Sequence, residues 1–491
     1  MKIENMKIFL TGLIFILFCQ CGKKYSNNIE SHTEFINSVL EDDGQFYDLN
    51  KRNDYSEKSL PIGVFDSGIG GISVFDIILN ADNFNSKDER FSDKVPDFRN
   101  ESFIYFADQA NMPYSNYVET ENKELLEEYI LKDLLFLLNN RYNSFKSNTI
   151  NNHKPSVKTI VIACNTATAY GKELIEDFIK YSNIDLKVIG VIDAGVNGVL
   201  ENIQENENAT IAVFATPATV ESQAYVKTIN ELISRKGLKG NIQIVQQGGK
   251  GLHESIDNKP DFINSAYTKP YKTYQGPSFT NMDYKIEKDL LNTYNFNTHN
   301  NSLLFNNDNI YLADSFQINS VENYVRYHIV SLVEKIRILP DKQPLKSIIL
   351  ACTHYPFVKS EIKNVLKELK QNKIYQEILK DEVILVDLAE NTAIELYNYL
   401  QDAELLNQNN LDSIKNYFFI SVPNFFNPNI EVNESGTFIY DYQYLKRERN
   451  ESVPSTLLVP FSEKVISREQ LKLIEIKYPK TYSLINNQGY K

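Results

Sequence analysis

Residues 159–170 read TIVIACNTATAY, and residues 347–357 read SIILACTHYPF. In each stretch a run rich in β-branched apolar residues meets Ala, then Cys, then small polar residues, then a sequence able to begin a helix. A short, continuously apolar run is the mark of a strand covered on both faces, as in a parallel sheet. Each stretch therefore reads as a buried strand that delivers a thiol, Cys164 or Cys352, to its C-terminal end. Ligands of open α/β sheets gather in the crevice beyond that edge. Two thiols in matching contexts, far apart in the chain, point to one small molecule faced from two half-structures. The other reading is a pair of inert buried thiols, or a disulfide if the compartment is oxidising.

Outward from these two stretches the same design recurs. PIGVFDSGIGGISVFDIIL (61–79) gives a strand, a tight turn with Asp66 and Ser67, and a helix; its glycines free backbone N–H groups at a helix start, a seat for a carboxylate. The spacing does not fit a dinucleotide fingerprint. SFIYFADQANMPYSNY (102–117) gives a second strand and a loop holding Pro113, Tyr114 and Ser115. ATIAVFATPATVESQAY (209–225) gives a strand, a Thr216/Thr219 turn and a helix, and HESID (253–257) carries the ionisable His253 and Glu254. Strands alternating with helices throughout predict an α/β fold with parallel sheets, one per domain.

The chain has 491 residues, enough for two domains and additions, and its 42% hydrophobic and 23% charged content is that of a globular protein. A formal charge of −13 without a basic stripe argues against nucleic acid as a partner. No Cys/His spacing typical of zinc occurs, so no metal site is expected. Residues 1–21 resemble a secretory signal, with Lys2 and Lys7 ahead of an apolar run too short to span a bilayer. The cysteines that follow resemble a bacterial lipoprotein signal, with Cys21 (or Cys19) the lipidated residue. That reading predicts an extracytoplasmic, membrane-anchored lipoprotein; an unused signal would leave the protein cytoplasmic.

Taken together and in this order, FDSGIGG, YFADQANMPYSNY, ACNTATA, ATPATVESQAY and ACTHYPF resemble the glutamate racemases of the aspartate/glutamate racemase superfamily, over about residues 60–425. The resemblance implies two pseudosymmetric parallel-sheet domains with the active site in the cleft between them, no cofactor, an acidic amino acid as substrate, and commonly a homodimer. It implies that D-glutamate is made for peptidoglycan. The expected division is 22–59 as a polar tether, 60–195 plus 384–440 as one domain, and 196–383 as the other. Segment 81–101 reads as a surface insertion and 258–318 as an inserted subdomain or flap. Residues 441–491 form an extension with no role assigned.

The chemistry follows from the residue types. Inverting Cα requires removing a proton from one face and returning one to the other, which two bases on opposite walls do without moving. A cysteine thiol ionises near pH ~8.5, and a helix N-terminus is expected to lower that value. By resemblance, Cys164 serves D-glutamate and Cys352 serves L-glutamate, assisted by Asp66 on the first side and by His354, paired with Glu254, on the second. Ser67, Pro113, Tyr114, Ser115, Asn165, Thr166, Thr216, Thr219 and Thr353 resemble substrate-binding groups. The plainer alternatives are a turn-capping Asp66, a His354 bonded to backbone, and Ser/Thr residues that cap helices. Beyond glutamate, a racemase for aspartate or another amino acid, a non-catalytic lipoprotein that captures acidic amino acids, and a redox-sensing thiol pair are the competing functions.

Overall fold

Ten strands build the two main sheets. In chain order they are β1 (Ile62–Asp66), β2 (Phe103–Ala107), β3 (Thr159–Ile162), β4 (Lys187–Gly190), β5 (Ala209–Ala215), β6 (Ile242–Gly248), β7 (Leu345–Ala351), β8 (Leu379–Asp387), β9 (Tyr417–Pro423) and β10 (Thr456–Pro460). The computed structural model describes residues 35–38, 55–145, 147, 149–407 and 414–487. Cys21, Cys19 and the signal-like segment lie outside the described residues. Among those described, no helix is long and apolar enough to cross a membrane.

The first sheet has the order β10-β9-β2-β1-β3-β4, and the second β8-β7-β5-β6. Every neighbouring pair is parallel except β9 with β10. The fold is therefore α/β with two parallel sheets, and the antiparallel edge strand comes from the tail to which the sequence assigned no role. Parallel strands are covered on both faces, and side-chain alternation shows how. Val161 and Ala163 of the first sheet share one hydrophobic cluster with Ile211, Val213, Ile349 and Ala351 of the second. Their neighbours Ile160 and Ile162 face the opposite way, into a cluster with the Lys123–Leu138 helix. Ile348 and Leu350 likewise face a third cluster with the Val321–Arg337 helix. The two sheets are thus joined through a common core, packed by the helices Val191–Leu200 and Leu388–Asp402.

Two segment readings change, and for a third one of its two alternatives is excluded. Segment 81–101 is not a loose surface insertion: Phe84 and Phe98 are buried, and Phe84 stacks on Tyr397 at 4.2 Å. Asp97 accepts from the N–H groups of Asn83 and Phe84. Residues 258–318 are no flap, because Phe262, Ile286, Leu291, Tyr294, Phe316 and Ile318 are part of the second sheet's outer core. Within the expected tether, residues 35–38 form a helical turn whose Ile36 is buried and whose Phe35 ring lies 4.0 Å from the Arg449 guanidinium.

Candidate active site

Both cysteine strands lie beside the point where their sheet changes direction. The chain passes from β1 to β2 on one side and returns to place β3 on the other, so the first switch point lies between β1 and β3. The second sheet does the same: β5 leads to β6, and β7 then pairs with the other edge of β5. At such a point neighbouring crossovers diverge and leave a crevice at the strand ends. The ends of β1 and β3 bring Asp66, Ser67 and Cys164 together, and those of β5 and β7 bring Thr216, Cys352, Thr353 and His354. The crevices meet. Asn165, directly after Cys164, donates from Nδ2 to the carbonyl of Ala351, directly before Cys352, at 3.5 Å. Its Oδ1 accepts from the Tyr225 hydroxyl at 2.9 Å. Both thiols are free and each residue is only 7% exposed, with Cys164 at the rim of one outer cluster and Cys352 at the rim of the other.

On the Cys164 side, the thiol caps the Asn165–Tyr181 helix, its Sγ accepting from Ala167 N at 3.4 Å. It also lies 3.6 Å from Ser67 Oγ. Burial nonetheless dominates: it pushes Cys164 up to about 12, the Asp66 charge adds to the rise, and the helix N–H and Ser67 only soften it. The helix start does lower the thiol's value, as expected, but loss of hydration outweighs one long N–H···S bond. Asp66 Oδ2 accepts from Gly71 N at 2.9 Å and Gly68 N at 3.2 Å, so it does cap the turn while standing beside the thiol. Gly71 is required there, because a Cβ would sit 2.4 Å from Asp66 Cβ.

Burial raises Asp66 to about 6, against the lowering by its backbone N–H partners and Cys164. A carboxyl group titrating there is a base above that value and an acid below it. If Cys164 serves D-glutamate, as the sequence resemblance implies, turnover from that enantiomer is expected to fall as pH drops through about 6. Asp66→Asn should remove that limb and lower the plateau by about 10²-fold. A pH–rate profile of both proteins checks it; an unchanged acid limb in the variant would assign it elsewhere.

On the Cys352 side, His354 Nδ1 lies 3.9 Å from Cys352 Sγ and 3.4 Å from Thr353 Oγ1. The partner of its other nitrogen is Asp257, Nε2 to Oδ2 at 3.2 Å. Glu254 does not fill that place; it pairs with its neighbour, His253 Nδ1, at 3.0 Å. The Leu252–Ile256 helix turns Asp257, three residues further on, toward the imidazole. Burial is the largest influence on His354 and lowers its pKa, with Asp257 acting to raise it. Cys352 is pushed up to about 12 by burial. Both thiols thus hold their protons in this state, and each has a base alongside.

The expected binding groups divide. Ser115, Asn165, Thr166 and Thr219 line a cavity of about 410 Å³ together with Tyr170 and Ser222. Asn165 also borders a gap of about 20 Å³ that holds Cys352 and Thr353, space for little more than a water molecule. Thr216 caps the Pro217–Glu221 helix and lies 3.0 Å from Thr219 Oγ1. Tyr114 does not present its side chain: it is buried, and its hydroxyl lies between Asp108 Oδ2 at 2.6 Å and Asp133 Oδ2 at 2.7 Å, residues that line a different cavity. Pro113 follows a cis peptide bond. The loop around it is held by the C-terminal extension: Gln443 donates to the carbonyls of Ala110 and Met112, Tyr444 to that of Pro113, and Arg447 to Asn111 Oδ1. Sequence reasoning missed Asp257, Tyr225 and this clamp. Only HESID carried a hint, an acid one turn beyond the one chosen.

The site thus places two free, buried thiols at the switch points of adjoining parallel sheets, each beside a group able to accept a proton. The chain is similar to the glutamate racemase of Clostridium novyi, 27% identical over 348 residues that cover 71% of this chain and 86% of that protein. It is similar to glutamate racemase 1 of Caldanaerobacter subterraneus, 29% identical over 197 residues, but spans only 57% of that protein's length. Of solved structures, the glutamate racemase isoform RacE1 from Bacillus anthracis aligns with a TM-score of 0.43 and 21% identity, covering 74% of this chain and 89% of that one. No protein-family model matches the chain.

Proposed function

We propose that this protein interconverts L- and D-glutamate by a two-thiol mechanism that needs no cofactor, supplying D-glutamate for peptidoglycan. The observation that carries the reading is the contact of Asn165 with Ala351, which sets the two cysteine turns against each other. The similarity to curated glutamate racemases supports the substrate. His354, neutral and braced by Asp257, takes the Cys352 proton; the thiolate removes the Cα proton of L-glutamate; Cys164 gives its proton to the opposite face. Asp66 plays the part of His354 in the reverse direction. Substrate enters from the cavity beside Asn165 and parts the seam that this side chain closes. Backbone N–H groups and the hydroxyls of Ser67, Thr166 and Thr353 suit its carboxylates.

The test is incubation of reduced protein with L-glutamate in deuterated water. D-glutamate carrying deuterium at Cα is the expected product. Turnover of aspartate alone would move the substrate assignment, and well-folded protein giving no exchange with any acidic amino acid would end the racemase reading.

A further inference from the structure

The C-terminal extension ends in a hairpin of two helices, Arg468–Lys477 and Pro479–Asn486. It is moored to the first half of the molecule. Ile474 and Ile485 are buried in the common core, Thr481 Oγ1 donates to Asp76 Oδ1 at 2.6 Å, and Lys480 Nζ donates to the Leu79 carbonyl at 3.0 Å. Asp76 and Leu79 belong to the Ile72–Asn80 helix that follows Asp66. From this mooring the last residue of the first hairpin helix reaches the other half. Lys477 Nζ lies 3.6 Å from Asp257 Oδ1 and 5.6 Å from the centre of the Phe357 ring. Asp257 is thus shared, one oxygen facing His354 and the other Lys477.

We propose that Lys477 is a positioning residue for the Cys352 half-site, holding Asp257 by its outer oxygen and keeping His354 neutral and ready to accept the Cys352 proton. The inference rests on the racemase reading above. A carboxylate bound only to the imidazole would draw a proton onto it and could swing away. An ammonium on the far oxygen divides the negative charge and fixes the plane of the carboxylate. The groups near His354 are Cys352 and Thr353 on its own turn, His253 and Asp257 on the segment beside it, and Lys477 on the hairpin, with Glu254 next to His253 and Tyr478 in the field of Asp257. Asp257 favours the protonated ring; His253, Lys477 and burial disfavour it.

The experiment uses the full chain, with Lys477→Met and Lys477→Arg compared with wild type. His354 is titrated by NMR with ¹⁵N-labelled histidine, which needs no turnover, and kcat is measured against pH from L-glutamate. Removing a cation lets the ring keep its proton to higher pH. The His354 midpoint in Lys477→Met should therefore rise by about half a pH unit, the acid limb from L-glutamate should move up with it, and Lys477→Arg should restore both. A folded Lys477→Met protein whose His354 midpoint does not move overturns the proposal. So does a rise in KM for both enantiomers with the midpoint unmoved, the mark of a hairpin that only packs. A shifted midpoint in a protein that turns over no amino acid upholds the coupling and refutes the racemase reading instead.

Discussion

Cys164→Ala is expected to abolish racemisation, by about 10⁴-fold, while leaving exchange on one face. On the proposed mechanism Cys352, with His354 beside it and Asp257 behind, should still remove the Cα proton of L-glutamate and return solvent hydrogen to the same face. Deuterium should enter L-glutamate with no D-glutamate formed. Cys352→Ala should give the mirror result, exchange into D-glutamate alone through Cys164 and Asp66. NMR of the Cα signal with chiral separation reads both outcomes. Racemisation surviving at the wild-type rate in either variant would mean that one base serves both faces, against the placement of the thiols on two separate sheets. The same variants separate catalysis from mere capture of glutamate, since a binding protein would lose neither its ligand nor any exchange.

Lys158→Met is expected to destabilise the fold by about 3–5 kcal/mol. Lys158 and Glu101 are paired at 2.6 Å with side chains 0% and 2% exposed. Burial pushes Glu101 up and Lys158 down, and each partner opposes the shift of the other. Lys158 Nζ also donates to the carbonyls of Lys58 and Leu405, and Glu101 Oε1 accepts from Asn407 N. The methionine fills the space but leaves a lone buried carboxylate and two unanswered carbonyls. Denaturant unfolding measures the loss. Glu101→Leu combined with Lys158→Met should recover part of it, because the buried charge is gone and only neutral groups, the two carbonyls and Asn407 N, remain unanswered. A Lys158→Met protein within 1 kcal/mol of wild type would show that water reaches this pair. Lys158 immediately precedes β3, at the end of that strand opposite to Cys164.

The alternation of apolar runs with helix-forming stretches was enough to give an α/β fold of parallel sheets and to put Cys164 and Cys352 at strand ends. Those features depend on residues adjacent in the chain: a covered strand needs an unbroken apolar run, and a turn needs its small residues in place. Partner choice is a different kind of fact. Asp257 instead of Glu254 serves His354 because one more helical turn aims it there. Tyr114 faces Asp108 and Asp133 because a core position was open to it. The tail from residue 441 supplies an edge strand, a clamp on the Pro113 loop and Lys477, none of which its composition announces. The net rise of the thiols was not legible for the same reason, since a helix start is visible in sequence while the loss of water around Cys164 is not. Local order is written in neighbours, whereas burial and pairing are properties of groups brought together from distant parts of the chain, and only the folded molecule decides them.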